Sequence, residues 1–339
     1  MAGATEVGIK GDGFTINGQP TYAGKRWRAH KIEGLLLNAR MANAIIDDEN
    51  PSTVGVWAYA DGPWDAERST REFVAQLPAY RAHGLLAVSV NLQGGSPQGY
   101  SWNQPWIMSG FAADGALKPA YAGRLMSVLE AADRTGMVVI LGCFYGRQTP
   151  HLKDEAAVKR AVGEVVDLLA ARGVSNALIE IGNEVDLPWF EHDIIQAPRG
   201  HELIELVRTR SNGRLKVSTS FSGGAVPSDN VIAAADYLLV HGNHVESPEG
   251  IRRVVADTRA STAYRGQPIV FNEDDHYDFE GKDNNFRAAL GAYASWGFFD
   301  YRRISERFSD GYQSLPVDWG INSLRKRAFF GYLKEVTGS

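Results

Sequence analysis

Two Asn-Glu dipeptides, Asn183-Glu184 and Asn272-Glu273, each close a short apolar run, ALIEIGNE over 177–184 and PIVFNE over 268–273. Composition alone yields about one such dipeptide in 339 residues, so two are unremarkable as a count and their placement carries the information. A carboxylate at the mouth of an apolar strand is costly unless it has a partner. Two such groups facing each other over one cavity can serve as acid/base and nucleophile. Cleavage of a glycosidic bond needs that pair. One carboxylic acid protonates the departing oxygen, and one carboxylate attacks the anomeric carbon. Mutual repulsion and partial burial would split their pKa values, keeping one protonated near neutral pH. A carboxyl separation of about 5–5.5 Å implies retention at the anomeric carbon, and about 6.5–9.5 Å implies inversion.

The elements that must bring these groups together follow a strand–loop–helix rhythm. FTINGQPTYAG (14–24) reads as a hairpin around Asn17-Gly18, a strong turn dipeptide. A first barrel strand is expected at 21–27 or 53–59, and helical spacing covers 32–46 and 69–83. LLAVSVNL (85–92) and MVVILGCFY (137–145) have the continuous apolar character of parallel strands buried on both faces. Helices are expected at 118–135, ended by Gly136, and at 154–172, with Asp154 as N-cap and Gly173 as terminator. After the strand at 177–184 come helix 200–211, strand 215–221, helix 229–235, strand 237–243, helix 248–260, strand 268–273, helix 285–295 and strand 297–302. Alternating apolar strands and helices imply a parallel sheet covered by helices. Eight such units favour an α/β fold of the (β/α)8 TIM-barrel type with a short N-terminal β-hairpin. The whole chain, 1–339, reads as one catalytic domain with 1–20 as the hairpin extension. A doubly wound open sheet is the alternative, but no Gly-x-Gly-x-x-Gly turn or phosphate loop accompanies it.

In a barrel, function gathers at the C-terminal strand ends. In chain order these supply Asn91 and Gln93, then Tyr145, Asn183 and Glu184, Ser220 and Ser222, then His241, Asn243 and His244, Asn272 and Glu273, and finally Asp300 and Tyr301. With IEIGNEVD (179–186), VFNEDDH (270–276) and the opening GFTINGQP (13–20), the chain resembles the retaining glycoside hydrolases of the clan-A (β/α)8 type, such as the cellulase-like family 5 enzymes. That resemblance implies Glu184 as acid/base and Glu273 as nucleophile. It also implies Asn183 on the sugar 2-hydroxyl, His241 at the sixth strand, a carbohydrate substrate and no cofactor. The sequence departs from the clan pattern where an Arg is usual after the second strand; Asn91 and Gln93 stand there. The third strand ends in Phe144-Tyr145 rather than His. Asn243 replaces an aromatic residue, and Val-Asp rather than Pro follows Glu184.

Further sugar contacts are expected from Tyr145, Asn243, His244, Asp275 and His276. Stacking platforms are expected from Trp102, Trp106, Trp189 and Trp319, which fall in loop-like segments. Glu180 lies at even spacing from Glu184 and so faces the same side. It needs either a partner such as Arg in the barrel interior or a bulge that re-aims Glu184. His241-x-x-His244 with the acidic 273–276 segment could ligate a divalent ion, but no His-x-His or His-Glu-x-x-His supports a metal enzyme, and no metal is expected. A non-catalytic carbohydrate-binding barrel is the other reading. Cys143 reads as an inert core residue, and Arg325-Lys326-Arg327 as an exposed helical face.

Composition narrows the classes further. The chain carries 35 basic and 40 acidic residues, a net charge of −5, with 44% apolar residues, ordinary for a folded globular protein. Mild acidity without a basic run argues against nucleic acid or an anionic membrane as partner. No apolar stretch approaches the roughly 20 residues of a membrane span. One cysteine excludes an intrachain disulfide and a Cys-rich metal site. The first residues lack the basic and apolar regions of a secretory leader. A secreted or periplasmic location would require that one had been removed, and a cytoplasmic location would not. Oligomeric state is not legible.

Overall fold

The computed structural model describes residues 4–98, 101 and 103–339. Eight parallel strands form its centre. They are β1 (Asn38–Arg40), β2 (Ala87–Asn91), β3 (Val138–Tyr145), β4 (Ala177–Asn183), β5 (Lys216–Ser218 and Ser220–Gly223), β6 (Leu238–His241), β7 (Ile269–Glu273) and β8 (Gly297–Phe299). Eight helices alternate with them: α1 (Ala66–Ala82), α2 (Pro119–Thr135), α3 (Glu155–Ala171), α4 (Gly200–Arg210), α5 (Asp229–Ala234), α6 (Pro248–Ala260), α7 (Asn285–Gly291) and α8 (Leu324–Thr337). The hydrogen-bonded ladder falls into two parts. One runs from the first half of β5 through β4, β3, β2 and β1 to β8; the other joins the second half of β5 to β6 and β7. Only Thr219 separates the halves of β5. The parallel bridges Val270–Ser295 and Asp274–Phe298 span the seam between β7 and β8. The strands therefore follow one another in sequence order around a (β/α)8 barrel.

Local chemistry explains most boundaries. Asp154 accepts a hydrogen bond from the Ala157 N–H and caps α3. Gly136 ends α2 in the left-handed conformation at φ 70°. Asn17 and Gly18, at φ 53° and 76°, make the hairpin turn between Gly13–Ile16 and Gln19–Pro20, and Val7–Lys10 pairs on the other side. Val7 and Phe14 from these strands pack with Leu36, Ile140, Leu178 and Tyr237 in an inner apolar cluster. The hairpin thus closes the N-terminal end of the barrel and leaves the opposite end to function.

The start of the barrel differs from the sequence reading. Neither 21–27 nor 53–59 is the first strand, and 32–46 is not a helix. Arg26–Trp27 pairs antiparallel with His30–Lys31, Val54–Trp57 is a single 3-10 turn, and β1 lies inside the segment read as helical. The cause is visible in LLLNARM: Leu35 and Leu37 face the outer core while Leu36 faces the inner cluster. A strand buried on both faces shows no polar alternation, so its apolar run imitates a buried helix. Two smaller differences follow from tertiary contacts. Helix α7 stops at Gly291 because Tyr293, at φ 53°, turns the chain toward β8. Of the basic triplet only Arg327 is exposed: Arg325 bonds Asp300 and Glu306, and Lys326 is fully buried with Nζ on the Asp318 carbonyl. Burial pushes the Lys326 amine down to about 8. Among the described residues no helix is long and apolar enough to cross a membrane.

Candidate active site

Strands β1, β4, β6 and β7 deliver four ionisable groups to one point. Pairing of β4 ends at Asn183, and Glu184 adopts φ 57°, a left-handed conformation costing a non-glycine residue of order 1–3 kcal/mol. Two bonds hold that turn: Ser220 Oγ accepts from the Glu184 N–H and the Ser220 carbonyl from the Val185 N–H, both at 3.0 Å. Glu180 stays wholly buried in the barrel interior and faces the same side as Glu184. Of the two remedies inferred for Glu180, the structure shows the first, a pairing with an arginine.

That arginine is Arg40, at the end of β1. Its Nε lies 2.7 Å from Glu273 Oε2 and its Nη1 3.6 Å from Glu180 Oε2, while Nη2 donates to Asn183 Oδ1. Arg40 escaped the sequence reading because its strand was read as helix, and nothing in the run Leu35–Arg40 marks it as a strand end. It provides a guanidinium beside Glu273 although the second strand offers none. The opposite edge of Glu273 is held by Asn243, whose Nδ2 donates to Oε1 at 2.9 Å.

His241 is fully buried behind the pair, with Nδ1 3.0 Å from Glu184 Oε1 and 3.8 Å from Glu273 Oε2. Its Nε2 has no hydrogen-bond partner among the described residues, and its Nδ1–H is donated to Glu184. One oxygen of Glu184, one of Glu273 and a ring nitrogen of His241 all lie within 4.8 Å of one another.

Electrostatics divide the carboxyls. Burial, aided by the charges of Glu184 and Glu180, pushes Glu273 up to about 7 against the opposing pull of Arg40 and His241. Burial would also raise Glu184, but the hydrogen bond from His241 and the charges of His241, Arg40 and His244 hold it below its ordinary range. The pair thus shares one proton around neutrality. That proton favours Glu273, the reverse of the assignment that the family resemblance implies.

A cavity of about 500 Å³ opens over these groups. Asn183, Glu184, Tyr145, Trp189, Asn243, His244 and Glu273 line it, as do Arg40, Gln104, Arg147, Phe299, Tyr301 and Gln313, which the strand-end reading had not put forward as ligands, apart from noting Tyr301. Other candidates lie away from it. Asn91 and Gln93 are buried below the rim; Gln93 Oε1 accepts from the Tyr145 N–H and braces β3. Asp275 and His276 stand beside Asp274, which is fully buried and accepts from His276 Nδ1, Trp296 Nε1 and Asn285 Nδ2. That group fixes the chain after Glu273. Trp106 packs edge-on against Trp57, and Trp319 stacks on Tyr312; both are core residues. Trp102 lies outside the described residues.

The metal set suggested by sequence spacing is divided. His241 groups with Glu184 and Glu273, whereas Asp274, Asp275 and His276 form a separate cluster. Arg40 at 2.7 Å already supplies the cation that Glu273 requires, and Asp274 is committed to four donors, the His276 backbone N–H among them.

No family model and no curated protein matches the sequence. Solved structures do share its fold. A protein described as a glycoside hydrolase aligns with TM-score 0.60 and 11% identity over 98% of this chain and 73% of its own. An endo-1,4-beta-mannanase from Rhizomucor miehei gives 0.59 and 11% over 98% and 100%. A GH5-4 broad specificity endoglucanase from Bacteroides salanitronis gives 0.56 and 12% over 89% and 93%. The chain has the barrel fold of family 5-like glycoside hydrolases in a divergent form.

Proposed function

We propose that this chain, as one catalytic unit, is a glycoside hydrolase that cleaves O-glycosidic bonds with retention, using Glu273 as nucleophile and Glu184 as acid/base. One observation carries the reading. One carboxyl oxygen of Glu184 and one of Glu273, from strands on different sides of the barrel, lie within 4.8 Å of each other at the cavity, short of the separation of about 6.5–9.5 Å that inversion needs.

The chemistry follows from the donors around each group. Arg40 and Asn243 each donate to Glu273, so its ionised form has a charge-assisted partner on either oxygen once the proton leaves. Substrate covers the exposed edge of Glu184, and its desolvation shifts the shared proton onto Glu184 against the glycosidic oxygen. Glu273 attacks the anomeric carbon as Glu184 gives its proton to the departing oxygen. The glycosyl ester on Glu273 then breaks when water adds at the same carbon and returns its proton to Glu184. Asn183, with Oδ1 engaged by Arg40, meets the sugar through its amide nitrogen. Tyr145 and Trp189 form part of the wall, and Arg147 lies 4.9 Å over the Trp189 ring.

The test is hydrolysis of a panel of aryl glycosides and oligosaccharides, including β-1,4-linked manno- and gluco-oligosaccharides because structural neighbours are named for such polymers. NMR of the first-formed product should show the anomer of the substrate. An inverted product rejects the double displacement; binding across the panel without turnover favours the non-catalytic barrel.

The coupled pair also sets the pH dependence. The active form holds one proton between Glu184 and Glu273, and that proton is lost as pH rises through about 7. We expect kcat/KM to fall above about pH 7, roughly tenfold per unit. A rate that climbs between pH 7 and 9 would contradict the shared proton.

A further inference from the structure

We propose that the enzyme works from chain ends, removing sugar from the non-reducing terminus rather than cutting internal bonds. This rests on the glycosidase reading above. In the ring of strands, the arc β8–β1–β2 faces the arc β4–β5–β6. Glu184 stands on the second arc and protonates the departing oxygen, so the leaving portion of the substrate lies on that side. The sugar that stays on Glu273 lies toward the first arc, and any residue joined to its non-reducing end must extend across it.

That arc is walled. The described parts of the segment after β2, 92–98 and 103–118, and loop 300–323 after β8 are tied together across the barrel mouth. Asn43, fully buried after β1, donates through Nδ2 to the carbonyls of Gly95 and Gln313, and its Oδ1 accepts from the Gly95 N–H. Gln313 Nε2 donates to the Gly95 carbonyl at 2.9 Å, and the Leu315 N–H to the Pro97 carbonyl at 3.0 Å. On the inner side, Gln104 Nε2 reaches both Ser96 Oγ and Tyr145 Oη. The wall has two faces. Gly95, Ser96 and Gln313 line the catalytic cavity, whereas Pro97, Ser314 and Leu315 line a separate outer cavity of about 650 Å³. Ser101 alone among the described residues lines both. The opposite rim is open: Leu187, Trp189 and Ser222 are half-buried and His244 is exposed, while Gly95, Ser96 and Gln313 are buried. Several polar bonds that each leave a buried group unsatisfied when broken make the wall a fixed feature rather than a passing contact. A polymer can therefore leave past Glu184 but cannot thread through.

The experiment uses the full chain and whichever panel substrate it cleaves, as a hexasaccharide labelled at its reducing end and as the parent polysaccharide. Chain-end action releases the terminal sugar or a short unit while the label steps down the ladder from its long end, and viscosity falls only slowly as reducing ends accumulate. Early mid-chain products with a rapid loss of viscosity overturn the proposal and show a passage beside Ser101, while leaving the glycosidase reading intact. No cleavage of any panel member removes both. Gln313→Ala, which loosens the wall without touching Asn43, should raise the share of internal products severalfold; an unchanged share in the folded variant counts against the wall as the cause.

Discussion

Glu273→Gln should abolish hydrolysis of every glycoside, whatever its leaving group, and leave the fold in place. The substitution is close to isosteric, and its amide can still accept from Arg40 through its oxygen. What disappears is the attacking carboxylate, so no glycosyl ester forms. Glu184→Gln should fail differently. Loss of a positioned proton donor lowers turnover by roughly 10²–10⁴-fold. A phenol bearing electron-withdrawing groups leaves without a proton, so the first step should recover with such a substrate. The second step still lacks its base, and a burst of phenol followed by slow turnover should appear. The burst in Glu184→Gln and its absence in Glu273→Gln distinguish the two roles. Near-wild-type steady-state turnover in both variants, measured with thermal denaturation to confirm folding, would remove the mechanism. A burst in the wrong variant would exchange the assignments, an outcome in play because burial raises Glu273 whereas His241 and Arg40 lower Glu184.

The second large effect concerns Arg40→Met. Arg40 is almost wholly enclosed and faces two enclosed carboxylates, Glu180 and Glu273. Its pKa is raised: burial works against the charge, but Glu273, Glu180 and Glu184 outweigh it. Taking one partner from a buried ionic group typically costs about 3–5 kcal/mol, because the remaining charge stays buried and uncompensated. We expect a loss of that size in chemical denaturation and a further rise in the pKa of Glu273. Adding Glu180→Gln to Arg40→Met should restore part of the stability, since one stranded carboxylate is then neutral. Arg40→Lys keeps the charge but not the fork that reaches Glu273, Glu180 and Asn183 together, so it should lie between. A cost below about 1 kcal/mol for Arg40→Met, measured at a pH well above 7 where Glu273 is ionised, would contradict Arg40 as the counter-charge of the site.

Much of the architecture was written in local sequence. Helix 248–260 begins where Ser247-Pro248 says it should, α3 starts after its Asp154 cap, and α2 ends at Gly136. Strands β2, β3, β4 and β7 coincide with apolar runs, and the two Asn-Glu dipeptides sit at strand ends. Caps, turn residues and period-2 or period-3.6 patterns act over a few residues, so the chain displays them directly. Candidate residues at the ends of β3, β4, β6 and β7, namely Tyr145, Asn183, Glu184, Asn243, His244 and Glu273, could be named for the same reason.

Tertiary structure alone decided the rest. Nothing local marks Asn38–Arg40 as a strand, because a segment buried on both faces loses the polar alternation that would reveal it. Arg40 was therefore invisible, although it is the counter-charge on which Glu180 and Glu273 depend. The left-handed turn at Glu184 exists only because Ser220 on the neighbouring strand holds it, and the barrier across the mouth exists only because Asn43, Gly95 and Gln313 meet from three loops. Types and spacings of residues named the reacting groups. Their distances, the sharing of one proton between them and the open side of the cavity arise from contacts between residues far apart in the chain, which no local pattern encodes.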